Sequence, residues 1–271
     1  MTSATASAAA RPSAPDRSAR PATVSQASRA VRYAVSNTAV VLRDGAFLFF
    51  TIALPTAMFL MFNTIYGSEA QDSAGVSIMT NMAAYGSFGG ALSAGSVIQT
   101  ERANGWLRQL TVAGLSPRAF VLGKIVTAMV TLLPALVAVF AVGLTIGGVD
   151  LPLTTALAGI GVLWGAMLPM ILMGLVLGLL LPPRAVQGAS TLVLMVLSLV
   201  GGLWFPYDMF PAWLKTVAEF TPTYGIGRLG QWATLGGDFP TQGALVLAVW
   251  AVGLAVVAAV LFRRAARSSR R

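Results

Sequence analysis

The chain has 271 residues, 56% of them hydrophobic and only 10% charged, a balance too apolar for a water-soluble domain. Its formal net charge is +9, yet the basic residues are spread through loops and tails rather than gathered on one polar module, which argues against a nucleic-acid binder. Cysteine and histidine are both absent, which removes disulfides, thiolate chemistry and the usual zinc ligand sets.

Residues 1–28 are rich in Ala, Ser, Thr, Pro and Arg without an apolar core, and read as a disordered cytoplasmic tail rather than a secretory signal. From Arg29 to Arg43, Val31, Val35, Thr38 and Leu42 share one helical face and Arg29, Arg32 and Arg43 project from another. That pattern suits a helix lying in the inner headgroup layer, with a solvated linker as the plainer alternative. Six stretches then carry no charge for more than twenty residues each: 45–68, 73–100, 125–149, 151–183, 185–207 and 239–262. Each can hold the ~20 helical residues that cross ~30 Å of hydrocarbon. The expected fold is therefore an all-α polytopic membrane protein with six transmembrane helices, at about 46–66, 79–99, 125–147, 155–181, 186–205 and 243–262 of a domain over 29–262. A basic cytoplasmic tail, 263–271, follows.

Alternating the connections puts all but two of the 18 basic residues on one side; Lys215 and Arg228 fall opposite, with six of the nine acids. By the positive-inside rule both termini are cytoplasmic, and the expected location is the cell membrane. Pro55, Pro134 and Pro169 predict kinks in the first, third and fourth spans. The second span is the most polar, with Asn81, Tyr85, Ser87, Ser93, Ser96 and Gln99, and it carries small residues at Gly86, Gly90 and Ala94. Such a face suits close helix packing or the lining of a pathway, for which Asn81, Tyr85 and Ser93 are the candidates. Gly174 and Gly178 form a GxxxG in the fourth span.

The cytoplasmic connection after the second span runs Glu101-Arg-Ala-Asn-Gly-Trp-Leu-Arg-Gln-Leu. Trp106, Leu107 and Leu110 share a face of a short helix punctuated by Gly105 and Gly114, and Ser116-Pro117 is a cap and first-turn pair for the next helix. An apolar face there either rests on the bilayer or docks into another protein, and periodicity leaves both open. Outside, Phe205-Pro206 and Pro211-Ala-Trp213-Leu214 supply aromatic anchors, and Trp213, Leu214, Val217 and Phe220 repeat at helical spacing. A short interfacial or re-entrant helix is expected, closed by Pro222 and Gly225. The bland reading is an aromatic belt.

Catalytic constellations are missing: a Ser/His dyad lacks its histidine, and no span holds a carboxylate for aspartyl or ion-coupled chemistry. Gly123-Lys124 is no phosphate loop, because Gly114 is too far upstream and Ile125 stands where Ser or Thr is required. The chain is expected to be no enzyme.

Read together, Glu101-Arg102 with Gly105-Trp106-Leu107, then Leu115-Ser116-Pro117 and Leu122-Gly123-Lys124, resemble the membrane subunit of an ABC-2 type exporter, the family of daunorubicin-resistance-type permeases and polysaccharide exporters. Gly202 through Phe205-Pro206, Pro211-Ala212-Trp213-Leu214 and Thr221-Pro222 carry a second part of the resemblance. It implies an interfacial helix before the first span, a cytoplasmic coupling helix after the second and extracellular re-entrant helices between spans five and six. It also implies a cytoplasmic ATPase partner in two copies holding ATP and Mg, and a second permease copy or a paralogue. Glu101, Arg102, Gly105, Trp106, Leu107, Leu110 and Lys124 would couple to that partner, and spans one, two and five would line the pathway. Many relatives carry acids where this chain has Ala103 and Arg108. The implied function is export of a hydrophobic or amphipathic compound, drug-like or lipid-linked, of the kind that underlies multidrug resistance. The alternatives are a non-transporting membrane scaffold and a polysaccharide or teichoic-acid exporter.

Overall fold

The computed structural model describes residues 38–39, 43, 45–66, 73–104 and 117–268, and among them the secondary structure is helical, without a strand. In chain order the elements are α1 (Gly45–Leu48), a π-helical turn (Phe49–Ala53), α2 (Leu54–Tyr66), α3 (Ser73–Ala103), α4 (Pro117–Thr145), α5 (Leu153–Ala166), α6 (Leu168–Leu180), α7 (Pro183–Val200), a 3-10 turn (Tyr207–Met209), α8 (Ala212–Glu219), α9 (Pro222–Leu235) and α10 (Thr241–Ser268). The expected N-terminal tail, most of the helix proposed over 29–43, and the connection 105–116 lie outside the described residues. Among the described residues four stretches are long and apolar enough to cross a bilayer: Val121–Thr145, Leu153–Leu180, Pro183–Val200 and Thr241–Phe262. A shorter apolar helix, Thr51–Tyr66, joins them.

The centre of the bundle is α3. Between Met79 and Leu92 every residue except Gly89 is buried, although this is the helix richest in hydroxyls and amides. Three of its hydroxyls are satisfied within the helix itself: Thr80 donates to the Val76 carbonyl at 2.8 Å, Ser87 to Ala83 at 2.8 Å and Ser93 to Gly90 at 2.6 Å. Back-bonding of this kind lets a polar sequence pass through an apolar bundle without orphaned donors. Small residues bring the neighbours close. A methyl on Gly95 would run into the Gly174 carbonyl and lie 3.3 Å from the Gly178 nitrogen, and one on Gly174 would lie 2.8 Å from the Ala91 carbonyl oxygen. The GxxxG of α6 is thus a main-chain contact with α3, the packing use of such a motif.

The prolines act differently from one another. Pro55 follows directly on the π-helical turn, where the missing N–H and the ring's bulk interrupt the regular ladder. Its ring presses toward α3, where a side chain on Gly86 would come within 2.7 Å of Pro55 Cγ. Pro134 stays inside an unbroken α4. Pro169 lies in the first turn of α6, just after the break at Met167 that separates it from α5.

Two boundaries differ from the sequence reading. Pro222 does not close the short helix of the long connection; α8 ends at Glu219, and Pro222 opens α9 behind the cap residue Thr221, whose Oγ1 accepts from the Tyr224 N–H at 3.2 Å. Thr-Pro here is the same cap and first-turn pair as Ser116-Pro117, and Pro117 does begin α4. Gly225 is accordingly no terminator. It lies inside α9 where that helix crosses α10, and a methyl on it would come within 2.6 Å of the Gly243 carbonyl oxygen. The last helix also continues as backbone past Phe262 to Ser268, into the stretch expected as a separate tail.

Candidate functional site

Around the N-terminal end of α3 the chain leaves a cavity of about 580 Å³, enclosed by the end of α2, the first turns of α3, the segment 203–209 and α9. That segment owes its path to Gly202, which adopts φ 77° at the exit from α7, a conformation open to glycine. The turn presents the Gly202 carbonyl to Asn81, whose Nδ2 donates to it at 3.3 Å. Tyr85, one turn further along α3, meets the Trp204 ring edge-on with centroids 5.5 Å apart. Two polar atoms stay unsatisfied in this wall: Asn81 Oδ1 and Trp204 Nε1 are both buried without a hydrogen-bond partner. Orphans of this kind are uncommon in native folds.

The rim carries charge. Arg228 of α9 and Asp208 of the 3-10 turn both line the cavity. Beside them Tyr207 donates from Oη to Glu219 Oε1 at 2.7 Å, and Gln242 Nε2 donates to Glu219 Oε2 at 3.2 Å. One carboxylate thereby ties the 3-10 turn, the end of α8 and the start of α10 together. Those two hydrogen bonds hold the Glu219 carboxyl below its ordinary range. The Tyr207 hydroxyl is pushed far above the ordinary phenol value, first by donating to Glu219, then by burial and by its neighbour Tyr224. Lys215 Nζ stands 5.4 Å from the centroid of the Tyr207 ring, within cation–π range.

Of the residues singled out from sequence, the cavity region gathers Asn81, Tyr85, Phe205 and Pro206. Ser93 is elsewhere. It lies eight residues beyond Tyr85, ~12 Å along the helix, and lines a separate pocket of about 20 Å³ with Lys124, Thr127 and Thr131. Lys124 is only 2% exposed there, its side chain inside the bundle rather than at its edge. Pro211 caps α8, Trp213 is 68% exposed on its outer face beside half-buried Leu214, and Pro222 is buried at the start of α9. Glu101 and Arg102 belong to the last turn of α3 by backbone, while Gly105, Trp106, Leu107 and Leu110 lie outside the described residues. The sequence reading missed Trp204, Asp208, Arg228 and Gln231 as cavity residues. Arg228 carried a signal, being one of two cations on an otherwise acidic side.

Among the described residues no group of three or more Asp or Glu could hold a metal ion. The family model for the ABC-2 type transporter matches residues 34–228, most of the chain. The chain belongs to the ABC-2 type transporter family. A protein of Bacillus subtilis (strain 168) named "Putative transport permease YvfS" is 24% identical over 205 residues, covering 74% of this chain and 83% of that one. As an ABC-2 type transporter the chain is a membrane protein and a component of transport, and the apolar helices of the bundle are the part that meets lipid.

Proposed function

We propose that this chain is the membrane-spanning permease of an ATP-driven exporter that moves a hydrophobic or amphipathic compound out of the cytoplasm. Six crossings suit the bundle: α1 and α2 with the π turn between them, α3, α4, α5 with α6, α7, and α10. The asymmetry of the basic residues supports cytoplasmic termini, which puts the cavity at the N-terminal end of α3 on the outer side. α8 and α9 would then be the re-entrant helices of the outer connection.

The continuity of α3 carries the reading. This helix of 31 residues is unbroken, ~46 Å long at the usual rise, and has no proline within it. One end carries Glu101 and Arg102 just before the expected coupling segment, and the other forms a wall of the cavity. A push delivered by an ATPase subunit against Trp106, Leu107 and Leu110 would reach Asn81 and Tyr85 through a single rigid element. ATP and Mg belong to that partner, in two copies, and the pathway forms between this chain and a second copy or a paralogue, lined by spans one, two and five. Buried Lys124, packed on α3 beside Ser93, fits a role in holding α4 to the moving helix.

Co-reconstitution with the candidate ATPase in liposomes tests the reading. Hydrolysis should be stimulated and an amphipathic dye should move, and Leu107→Asp should abolish both. Association without stimulation or flux in the unaltered protein would instead establish a scaffold.

A further inference from the structure

We propose that the cavity at the N-terminal end of α3 binds a zwitterionic amphiphile, one whose head carries a phosphate or carboxylate beside an ammonium group. The proposal rests on the outward orientation given above and adds a ligand to it. Two opposite charges share this cavity without meeting: Arg228 and Asp208 both line it, and neither forms an ion pair among the described residues. Among the described residues the one side-chain hydrogen bond of Arg228 is long, from Nη1 to Gln231 Oε1 at 3.5 Å, and it uses only a small part of the guanidinium fork. A guanidinium fork matches the oxygens of a phosphate or carboxylate, and a carboxylate a short way off matches an ammonium.

The remaining wall fits an amphiphile as well. Trp204, Phe205 and Tyr207 give aromatic faces that accept either an alkyl chain or the underside of an ammonium group, with Met82 and Leu203 behind them. Asn81, 9% exposed, has an acceptor oxygen without a partner, and Trp204 has a donor nitrogen in the same state. Both atoms are enclosed by the packing, Asn81 Oδ1 against Gly227 of α9, so they shape this wall rather than face the ligand. The volume of about 580 Å³ falls within the ~300–1,000 Å³ common for small-molecule sites. The charge pattern chooses among heads. An anionic head would confront Asp208, a cationic head would confront Arg228, and a neutral sugar would use neither.

The test is a titration of the full chain in maltoside micelles with dihexanoyl phosphatidylcholine, dihexanoyl phosphatidylglycerol and octyl glucoside. The readout is the tryptophan fluorescence change that disappears in Trp204→Phe, since the chain has six tryptophans. Phosphatidylcholine should give a saturable change, with the other two silent over the same range. Arg228→Ala and Asp208→Asn should each weaken it about tenfold at an unchanged melting temperature, because both side chains are exposed. Equal binding of phosphatidylglycerol and phosphatidylcholine, or an Arg228→Ala protein that binds as the parent does, overturns the proposal. If Trp204→Phe fails to fold, native mass spectrometry of the same mixtures replaces fluorescence. The same method separates the sources of the ligand. A phospholipid that survives extraction from nanodiscs with the parent protein and not with Arg228→Ala is a bilayer lipid, whereas saturable binding of the soluble amphiphile with no retained lipid marks a soluble or transported ligand. No ATPase is present in these assays, so their failure leaves the coupling reading standing, and a failure of Leu107→Asp to uncouple hydrolysis leaves the headgroup site standing.

Discussion

The span Leu153–Leu180, made of α5 and α6, and the span Thr241–Phe262 of α10 are both strongly apolar, but over an 18-residue apolar stretch of each, 56% of the first is buried within the chain against 11% of the second. α10 is the most apolar of the four clear spans and the least covered. α3 reverses this: it is too polar to count among those four, yet between Met79 and Leu92 only Gly89 escapes burial. In water, apolarity sends a helix inward. In lipid it does not, because the tails are as apolar as leucine, and helices sort instead by how closely their backbones can approach and by how well their polar groups are satisfied. On α10, Leu245, Val249, Val252 and Val256 form an exposed stripe at helical spacing suited to lipid or to another helix.

This contrast can be broken most severely with one added side chain. Gly95→Val drives a β-carbon into the Gly174 backbone of α6, and we expect a loss of about 3 kcal/mol or more or no folded protein at all. Gly253→Val on α10 meets nothing within 4 Å, and should stay within ~0.5 kcal/mol of the parent. Melting in detergent followed by near-ultraviolet circular dichroism compares the two. Equal effects would mean that α3 and α6 do not form the inner pair.

A smaller version uses two indoles. Trp164 Nε1 donates to the Met129 carbonyl at 2.7 Å between α5 and α4, partly buried, and Trp250 Nε1 donates to the Phe220 carbonyl at 3.0 Å in an exposed setting. Trp164→Phe should cost about 1 kcal/mol, since it removes a part-buried hydrogen bond while the Met129 carbonyl keeps its place in the α4 ladder, and Trp250→Phe about 0.5. The same melting experiment ranks them.

The subtlest effect belongs to the Tyr207–Glu219–Gln242 contact. Glu219 titrates below its ordinary value of 4.5 in the folded chain, so its contribution is present above pH 4.5 and is lost as the pH falls through the lower folded value. Tyr207 titrates above its ordinary value of 10.0, so its contribution is complete below pH 10 and is lost on the alkaline side. Proteolysis of the connection between α7 and α10 should therefore be slowest between these limits and accelerate in acid. Glu219→Gln should remove the acid dependence, while Arg228→Ala should keep it.

Much of the bundle was readable because lipid imposes a length and an absence of charge on each crossing: α5 with α6 falls within the uncharged stretch 151–183, and α4, α7 and α10 each cover most of theirs while running past one end into charged residues. α9 was not readable in the same way. Apart from Ile226, its buried face is made mostly of small residues, Thr223, Gly225, Gly227, Gly230 and Thr234, that carry little hydrophobic period, and only Thr221-Pro222 marked its start. The cavity escaped for a related reason. Asn81 and Tyr85 stood out as polar residues in a span, but their partners Trp204, Asp208 and Arg228 come from segments far apart in the chain, and a contact set by tertiary packing leaves no spacing to read.

The contact between α3 and α6 has a further property. Where Gly95 meets Gly174 and Gly178, main chain lies on main chain with no interleaved teeth. Knobs seated in holes resist axial travel because each knob must climb out of its socket, but a surface of bare backbone behaves as a bearing. It holds the two helices at a fixed separation while offering little resistance to one gliding past the other.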